Sequence, residues 1–167
     1  MSKLLYLLSA LTMSAALAAC GNVQSTLVSG PSNLSTNKQI TLPPVQVTSV
    51  EQDADSLALN EKWKQLAAAE IQSMMSSKGF AVTPAGETAV SCQIDITYGS
   101  RALRYFVGFG AGAGHIQIHL ALTDRTGATH YETKTEADLA IGGFGGDMSA
   151  VVQDAIHGAV KDFADRV

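Results

Sequence analysis

The sequence predicts an α+β fold, a two-layer sandwich in which two helices cover one face of a mostly antiparallel sheet. Two segments carry apolar residues at helical spacing, and three longer segments alternate apolar with polar residues. Such alternation is typical of antiparallel strands with one buried and one solvated face. The predicted order of elements is β-α-β-β-β-α, and 167 residues are enough for one domain with appendages.

The first predicted elements are a short strand and a helix. Pro43-Pro44 precedes the strand at Val45 to Val50, and proline is confined to sheet edges and bulges, so we expect an irregular lead-in. The helix is predicted over residues 56–78, where apolar residues recur every three or four positions, and Gly79 is suited to end it. Three residues offer oxygens that can cap its first turn, namely Asp53, Asp55 and Ser56.

Three alternating segments predict the rest of the sheet, at residues 90–98, 115–123 and 128–140. Asp124-Arg125-Thr126-Gly127 is a typical hairpin turn and joins the second segment to the third. The strand at Val45 to Val50 is connected to the strand at residues 90–98 through the first helix, so these two strands could lie parallel through a right-handed crossover.

A second helix closes the chain. Asp147 is a suitable N-cap, and apolar residues from Met148 to Phe163 form a continuous helical stripe. Both predicted helices then cover the apolar face of the sheet and leave the other face polar.

The N-terminus predicts an export signal over residues 1–19. Lys3 supplies one positive charge, an apolar run follows, and small residues end the run. The alternatives are a membrane-spanning anchor or a buried helix. The run is short for the about 20 apolar residues that a spanning helix needs.

Leu17-Ala18-Ala19-Cys20 resembles the lipobox of bacterial lipoproteins. The resemblance implies cleavage before Cys20, which then carries diacylglycerol and an N-acyl chain such as palmitate. Gly21, in place of Asp, implies the outer membrane, with the domain facing the periplasm. Residues 20–38 are poor in apolar residues, so we expect the lipidated cysteine to be followed by a flexible tether, with a single domain over 39–167.

Composition excludes several classes of function. Without residues 1–19 the chain has ten basic and fifteen acidic side chains, a charge of −5, so no nucleic-acid partner is expected. Cys92 either pairs between chains or is buried in a strand, and its position in an alternating segment favours burial. His115 and His119 are four strand residues apart, about 13 Å, which is too far to share one metal.

We therefore expect no catalytic residues, no metal site and no cofactor apart from the lipid on Cys20. The sequence also lacks a G-x-S-x-G nucleophile motif. An enzyme with an undetected site is the weakest of the hypotheses.

The segment from Gly99 to Gly114 is too long and too apolar for a simple turn. The topology places it beside a second glycine-rich segment, Gly142 to Gly146. The two segments supply a candidate interaction rim made of Arg101, Arg104, Tyr105, Phe106, Phe109 and Phe144. The rim either caps the core or forms an exposed surface that meets a partner, a second copy or the membrane.

Four parts of the sequence carry a resemblance to a known family, namely Gly99 to Arg104, Phe106 to Gly112, Asp124 and Gly127. They resemble a family of short bacterial envelope lipoproteins grouped as domain of unknown function 4410. The resemblance implies an envelope location and supplies no activity. In architecture the chain is also similar to lipoprotein subunits that form rings beneath the outer membrane in curli or exopolysaccharide export, although fold does not fix function. The leading hypothesis is a non-enzymatic assembly or accessory module, with a protein partner or a homo-oligomer. The alternative is a periplasmic module that binds a small ligand or a glycan.

Overall fold

A computed structural model describes residues 23–29, 38–99, 114–139 and 148–167. In these residues a seven-stranded mixed sheet carries two helices, which pack together and against the strands. The predicted α+β class is confirmed. The elements in chain order are β1 (Val23–Ser29), β2 (Gln39–Thr41), β3 (Gln46–Ser49), α1 (Ala54–Ser77), β4 (Ala81–Val82), β5 (Thr88–Thr97), β6 (Gly114–Asp124), β7 (Thr129–Leu139) and α2 (Met148–Arg166).

The strands lie in the order β1-β7-β6-β5-β2-β4, and β3 also pairs with β5. The four long neighbours β1, β7, β6 and β5 are antiparallel. β2 and β3 both run parallel to β5, and β4 runs parallel to β2. The predicted parallel relation across the first helix is therefore present between β3 and β5, with α1 in the connection.

The core lies between the sheet and the two helices. Every second residue of β5 and β6 is buried, as the alternation predicted. The strand residues of this apolar face are Val90, Cys92, Ile94, Ile96, Ile116, Ile118, Leu120, Leu122, Tyr131 and Ala137. Trp63 on α1 and Phe163 on α2 are each only 1% exposed, so both helices bury large side chains against the strands.

The ends of α1 follow from its sequence. Asp53 caps the helix by accepting a 3.0 Å hydrogen bond from the Ser56 backbone N–H, so it is the N-cap among the three candidates. At the other end Gly79 has a φ of +83°, and the Phe80 N–H donates to the Met75 carbonyl over 3.0 Å. This is the arrangement in which a glycine reverses the chain after a helix.

The two helices run in the same direction. Near their C-terminal ends the Lys78 ammonium lies 2.7 Å from the Asp165 carboxylate, and midway His157 lies 3.3 Å from Glu70. α2 also reaches the edge of the sheet, because the Ser25 hydroxyl of β1 donates a 2.6 Å hydrogen bond to Asp162.

The expectation of a flexible tether over residues 20–38 is wrong for Val23–Ser29, which forms strand β1. Six of its residues pair with β7, with an irregularity between Leu27 and Ser29. An edge strand gains its hydrogen bonds from the neighbouring strand and needs few apolar side chains, so composition did not reveal it. The short strands β2 and β4 were also not predicted.

The export signal and Cys20 lie outside the described residues. In the described part of the chain, neither helix combines the length and the apolar character needed to cross a membrane.

Candidate functional site

One end of the domain gathers most of the features that the sequence singled out. Strands β3, β5 and β7 end there, and strands β1 and β6 and both helices begin there. We call this end of the domain the rim end. Its boundary residues are Val23, Ser49, Ala54, Gly99, Gly114, Leu139 and Met148.

The predicted rim residues lie in two segments, 100–113 and 140–147, that are outside the described residues. These residues are Arg101, Arg104, Tyr105, Phe106, Phe109 and Phe144. The points where the two segments join the sheet are described. Gly114 pairs with Leu139 across β6 and β7, so both segments are attached side by side at the rim end, as the topology predicted.

A buried polar network holds the rim end together. The Tyr98 hydroxyl donates to the side-chain oxygen of Asn60 over 2.8 Å, and the Asn60 side-chain amide donates to the Ser49 hydroxyl over 2.9 Å. The Ser49 hydroxyl in turn donates to the backbone carbonyl of Glu51 over 2.7 Å. Because all three side chains are buried, these bonds link the end of β5 to α1 and the end of β3.

Gly99 marks the point where the chain leaves β5 toward segment 100–113. Its φ is +69°, a left-handed conformation that glycine adopts without steric cost. Its N–H donates a 3.2 Å hydrogen bond to the Glu51 carboxylate. The glycine and the carboxylate together fix the conformation of the chain at Gly99.

Burial raises the pKa of Tyr98 to about 12, while the Trp63 indole acts in the opposite direction. The nearby carboxylates of Glu51 and Asp53 raise it further. Tyr98 is therefore a neutral hydrogen-bond donor at any physiological pH. Hydrogen bonds from Ser56 lower the pKa of Asp53, so this helix cap stays ionised. The network therefore stabilises the structure of the rim end.

The face of the sheet opposite the helices is polar. His115 lies 3.1 Å from Asp138, and His119 lies 3.3 Å from Glu132, so each histidine has its own carboxylate partner. The two rings do not converge. Among the described residues there is no group of histidine, cysteine and acidic side chains that could hold a metal ion.

A shallow depression of about 120 Å³ lies on this polar face beside the rim end. It is smaller than the roughly 300–1,000 Å³ of small-molecule sites. Its lining residues are Gln24, His115, Glu136, Ala137 and Asp138.

Cys92 is buried in the middle of β5, which confirms the predicted strand position. Burial raises the pKa of its thiol to about 12. The thiol therefore stays protonated and is a poor nucleophile.

Sequence reasoning missed the network around Asn60. The available signal was polarity inside a buried helical stripe, because Ser56 and Asn60 precede Trp63 at helical spacing and are also buried. A buried polar residue implies a hydrogen-bond partner. Periodicity does not identify Tyr98 as that partner, since the two residues are 38 positions apart.

The fold is similar to two solved structures of PelC from Paraburkholderia phytofirmans, both described as dodecamers. The first is 14% identical with a TM-score of 0.54, and the match covers 86% of this chain and 97% of that one. The second, a point variant, is 16% identical with a TM-score of 0.50 and the same coverage. At this identity the similarity shows the fold alone.

A comparison with curated proteins finds no significant match. A family described as a domain of unknown function, DUF4410, matches residues 31–143, which is more than half of the chain. This agrees with the resemblance carried by the glycine-aromatic segment and the hairpin. The chain belongs to the DUF4410 family.

Proposed function

We propose that the chain is a lipid-anchored, non-enzymatic subunit of the bacterial envelope, attached to the outer membrane through Cys20 with its domain in the periplasm. It serves as an assembly or accessory module and makes its contacts through the rim end. The observation that carries this proposal is the start of β1 at Val23, three positions after Cys20.

The position of β1 limits how far the domain can be from its anchor. Three residue steps of an extended chain span about 10 Å. β1 begins at the rim end, so acylation of Cys20 holds that end within about 10 Å of the bilayer surface. A tether over residues 20–38 would have left the orientation free, whereas the position of β1 supports an orientation with the rim end toward the membrane.

This orientation gives the glycine-aromatic segments a physical role. Both are attached at the rim end and are brought to the membrane surface with it. Aromatic residues and arginines are enriched at contact surfaces, where the aromatic rings contribute most of the binding energy. The proposed contact residues are Arg101, Arg104, Tyr105, Phe106, Phe109 and Phe144.

Self-association is part of the proposal. The two PelC structures that share this fold are dodecamers. Repeated copies of the chain would present the rim segments many times on the same membrane.

The anchor is tested by metabolic fatty-acid labelling and membrane fractionation of Cys20→Ala. We expect the variant to lose the label and to accumulate as a larger, unprocessed precursor. Cys92→Ala is the matched control, because it removes the other cysteine and keeps the lipobox. Undiminished labelling of Cys20→Ala would refute the lipoprotein proposal.

The rim is tested by Phe109→Ser and Phe144→Ser in the full-length protein purified in detergent. If these rings serve a partner, the free energy of unfolding changes by no more than about 0.5–1 kcal/mol while recovery of crosslinked complexes falls. Leu57→Ser on α1 is the control, since Leu57 is already 47% exposed. A loss of several kcal/mol in both phenylalanine variants would mean that the rings cap the core.

A further inference from the structure

β1 lies at the edge of the sheet, and no other described strand pairs with its outer side. Its sequence contains neither a charged residue nor a proline. Leu27 and Val28, at its C-terminal part, are 44% and 54% exposed. Charges, prolines and bulges are among the devices that keep edge strands from pairing with other chains. The irregularity of β1 lies between Leu27 and Ser29, so Val23–Thr26 has none of these devices and its outer side is available to another strand.

The opposite edge is open only in its half nearest the rim end. There β3, which is also uncharged, pairs with β5, and no described strand covers its outer side. In the other half β4 covers β2, and Pro43-Pro44 interrupts the chain between β2 and β3. Proline lacks the N–H that a further strand would need.

The two open edges lie at the same height in the sheet. One row of paired residues connects Gln24 of β1 to Thr48 of β3 through Glu136, Gln117 and Asp95. The neighbouring rows connect Val23 with Ser49, Ser25 with Val47, and Thr26 with Gln46. A four-residue stretch of one edge therefore matches a four-residue stretch of the other.

The two edge strands also run in opposite directions. β1 runs away from the rim end, whereas β3 runs toward it, since β3 is parallel to β5. Two copies with the same orientation can therefore place β1 of one beside β3 of the next as an antiparallel pair. Residues that share a row point to the same face, so the sheet continues across the contact with both pairs of helices on one side.

We infer that the outer side of Val23–Thr26 in β1 binds the outer side of Gln46–Ser49 in a second copy of this chain. The inference rests on the proposed anchoring at Cys20, which gives every copy on the membrane the same orientation. Because the two contacting surfaces differ, each copy can bind one neighbour on each side. Such a head-to-tail contact builds rings or open rows.

Pairing of β1 with β1 of another copy is the competing arrangement. Antiparallel pairing of two identical strands turns the two domains in opposite directions. One rim end would then point away from the membrane, although only about 10 Å of chain separates β1 from its anchor. Anchoring therefore favours the pairing of β1 with β3 of another copy over the pairing of β1 with β1.

The contact is tested by cysteine crosslinking of the full-length lipoprotein in intact envelopes. Gln24 and Thr48 are exposed and share a row, so they would lie directly opposite across the contact, with Cβ atoms about 4.5–5.5 Å apart. We expect Gln24→Cys/Thr48→Cys to give a series of products larger than a dimer with a short bismaleimide. Cys92 is buried and acylation occupies Cys20, so the background is low.

Two control variants separate the outcomes. Gln24→Cys alone and Gln24→Cys/Ser91→Cys should give no products, because Ser91 is exposed on a central strand. Dimers of Gln24→Cys alone would establish the β1 with β1 arrangement and overturn the inference. Absence of products from Gln24→Cys/Thr48→Cys would also overturn it. Fatty-acid labelling of the same samples reports separately whether the anchor, and so the proposed function, holds.

A charge at the edge provides a second test that needs no crosslinker. Gln24→Lys places a lysine on β1, and lysine disfavours strand addition at an edge. We expect the detergent-purified wild-type protein to form oligomers larger than a dimer. We expect these oligomers to be lost in Gln24→Lys and retained in Ser91→Lys, with unchanged circular dichroism in both. Retention of the oligomers in Gln24→Lys would contradict the β1 contact.

Discussion

The Tyr98 hydroxyl donates a 2.8 Å hydrogen bond to the side-chain oxygen of Asn60, and both side chains are buried. The bond joins the residue that follows β5 to the second turn of α1, close to the point where segment 100–113 is attached. A buried polar contact therefore helps to hold the rim end together.

Tyr98→Phe should lower the free energy of unfolding by about 1–3 kcal/mol, because it removes a donor from the buried Asn60 oxygen. Urea denaturation of the purified protein measures this loss. The double variant Tyr98→Phe/Asn60→Leu should lose less free energy of unfolding than the sum of the losses in the two single variants. In the double variant both hydrogen-bonding groups are removed, so neither remains buried without its partner. Additive losses would show that the two side chains are not coupled.

Trp63→Ala should cost about 3–5 kcal/mol, because the indole is only 1% exposed and its removal leaves a cavity under the sheet. Leu57→Ala on the same helix is the control and should change stability by no more than about 0.5 kcal/mol, as is usual for surface positions. An unchanged denaturation midpoint for Trp63→Ala would contradict the packing of α1 on the sheet.

Substitution of alanine for glycine should change the free energy of unfolding in opposite directions at two positions. A Cβ at Gly86 would clash with the backbone of Ile40 in β2, so Gly86→Ala should destabilise by about 1–3 kcal/mol through overpacking. Gly158 lies within α2 with nothing within 4 Å of such an atom, so Gly158→Ala should stabilise by about 0.5–1 kcal/mol. Thermal unfolding distinguishes the two, and equal shifts would refute the close approach at Gly86.

The Cys92 thiol should make stability fall at alkaline pH. Burial raises its pKa from 9.0 to about 12, so the unfolded chain loses this proton first. The stabilisation is fully present below pH 9 and is lost between pH 9 and about 12, by at most about 1.4 kcal/mol per pH unit.

The difference in free energy of unfolding between the wild-type protein and Cys92→Ala should therefore shrink as the pH rises from 8 to 10.5. Tyr98, whose pKa is also raised, is present in both proteins and cancels in the difference. Parallel pH profiles would contradict the burial of the thiol.

Much of the fold could be predicted from local patterns. Alternation over β5, β6 and β7 gave the buried face, since successive strand residues point to opposite sides. The hairpin at Asp124 to Gly127 and the cap at Asp53 are equally local, because their hydrogen bonds join residues close in sequence. The α+β class, the buried Cys92 and the helical stripe through Trp63 were therefore accessible from the chain alone.

The candidate site was predicted only in part. Strand directions placed the two glycine-aromatic segments at one end, and the pairing of Gly114 with Leu139 agrees with that placement. The hydrogen bonds that organise this end join Asn60 to Tyr98 and Glu51 to Gly99, residues far apart in sequence. No periodicity encodes such pairs.

The sequence by itself determined which apolar residues of the long strands and helices face the core and that a four-residue motif ends at Cys20, because these features depend on near neighbours. Only the tertiary structure decided that Val23–Ser29 is a strand, since its hydrogen bonds come from β7, more than a hundred residues later. It also decided that the open edges of β1 and β3 lie at one height, because that relation passes through three intervening strands. Sheet edges are a property of long-range pairing, and local composition does not record them.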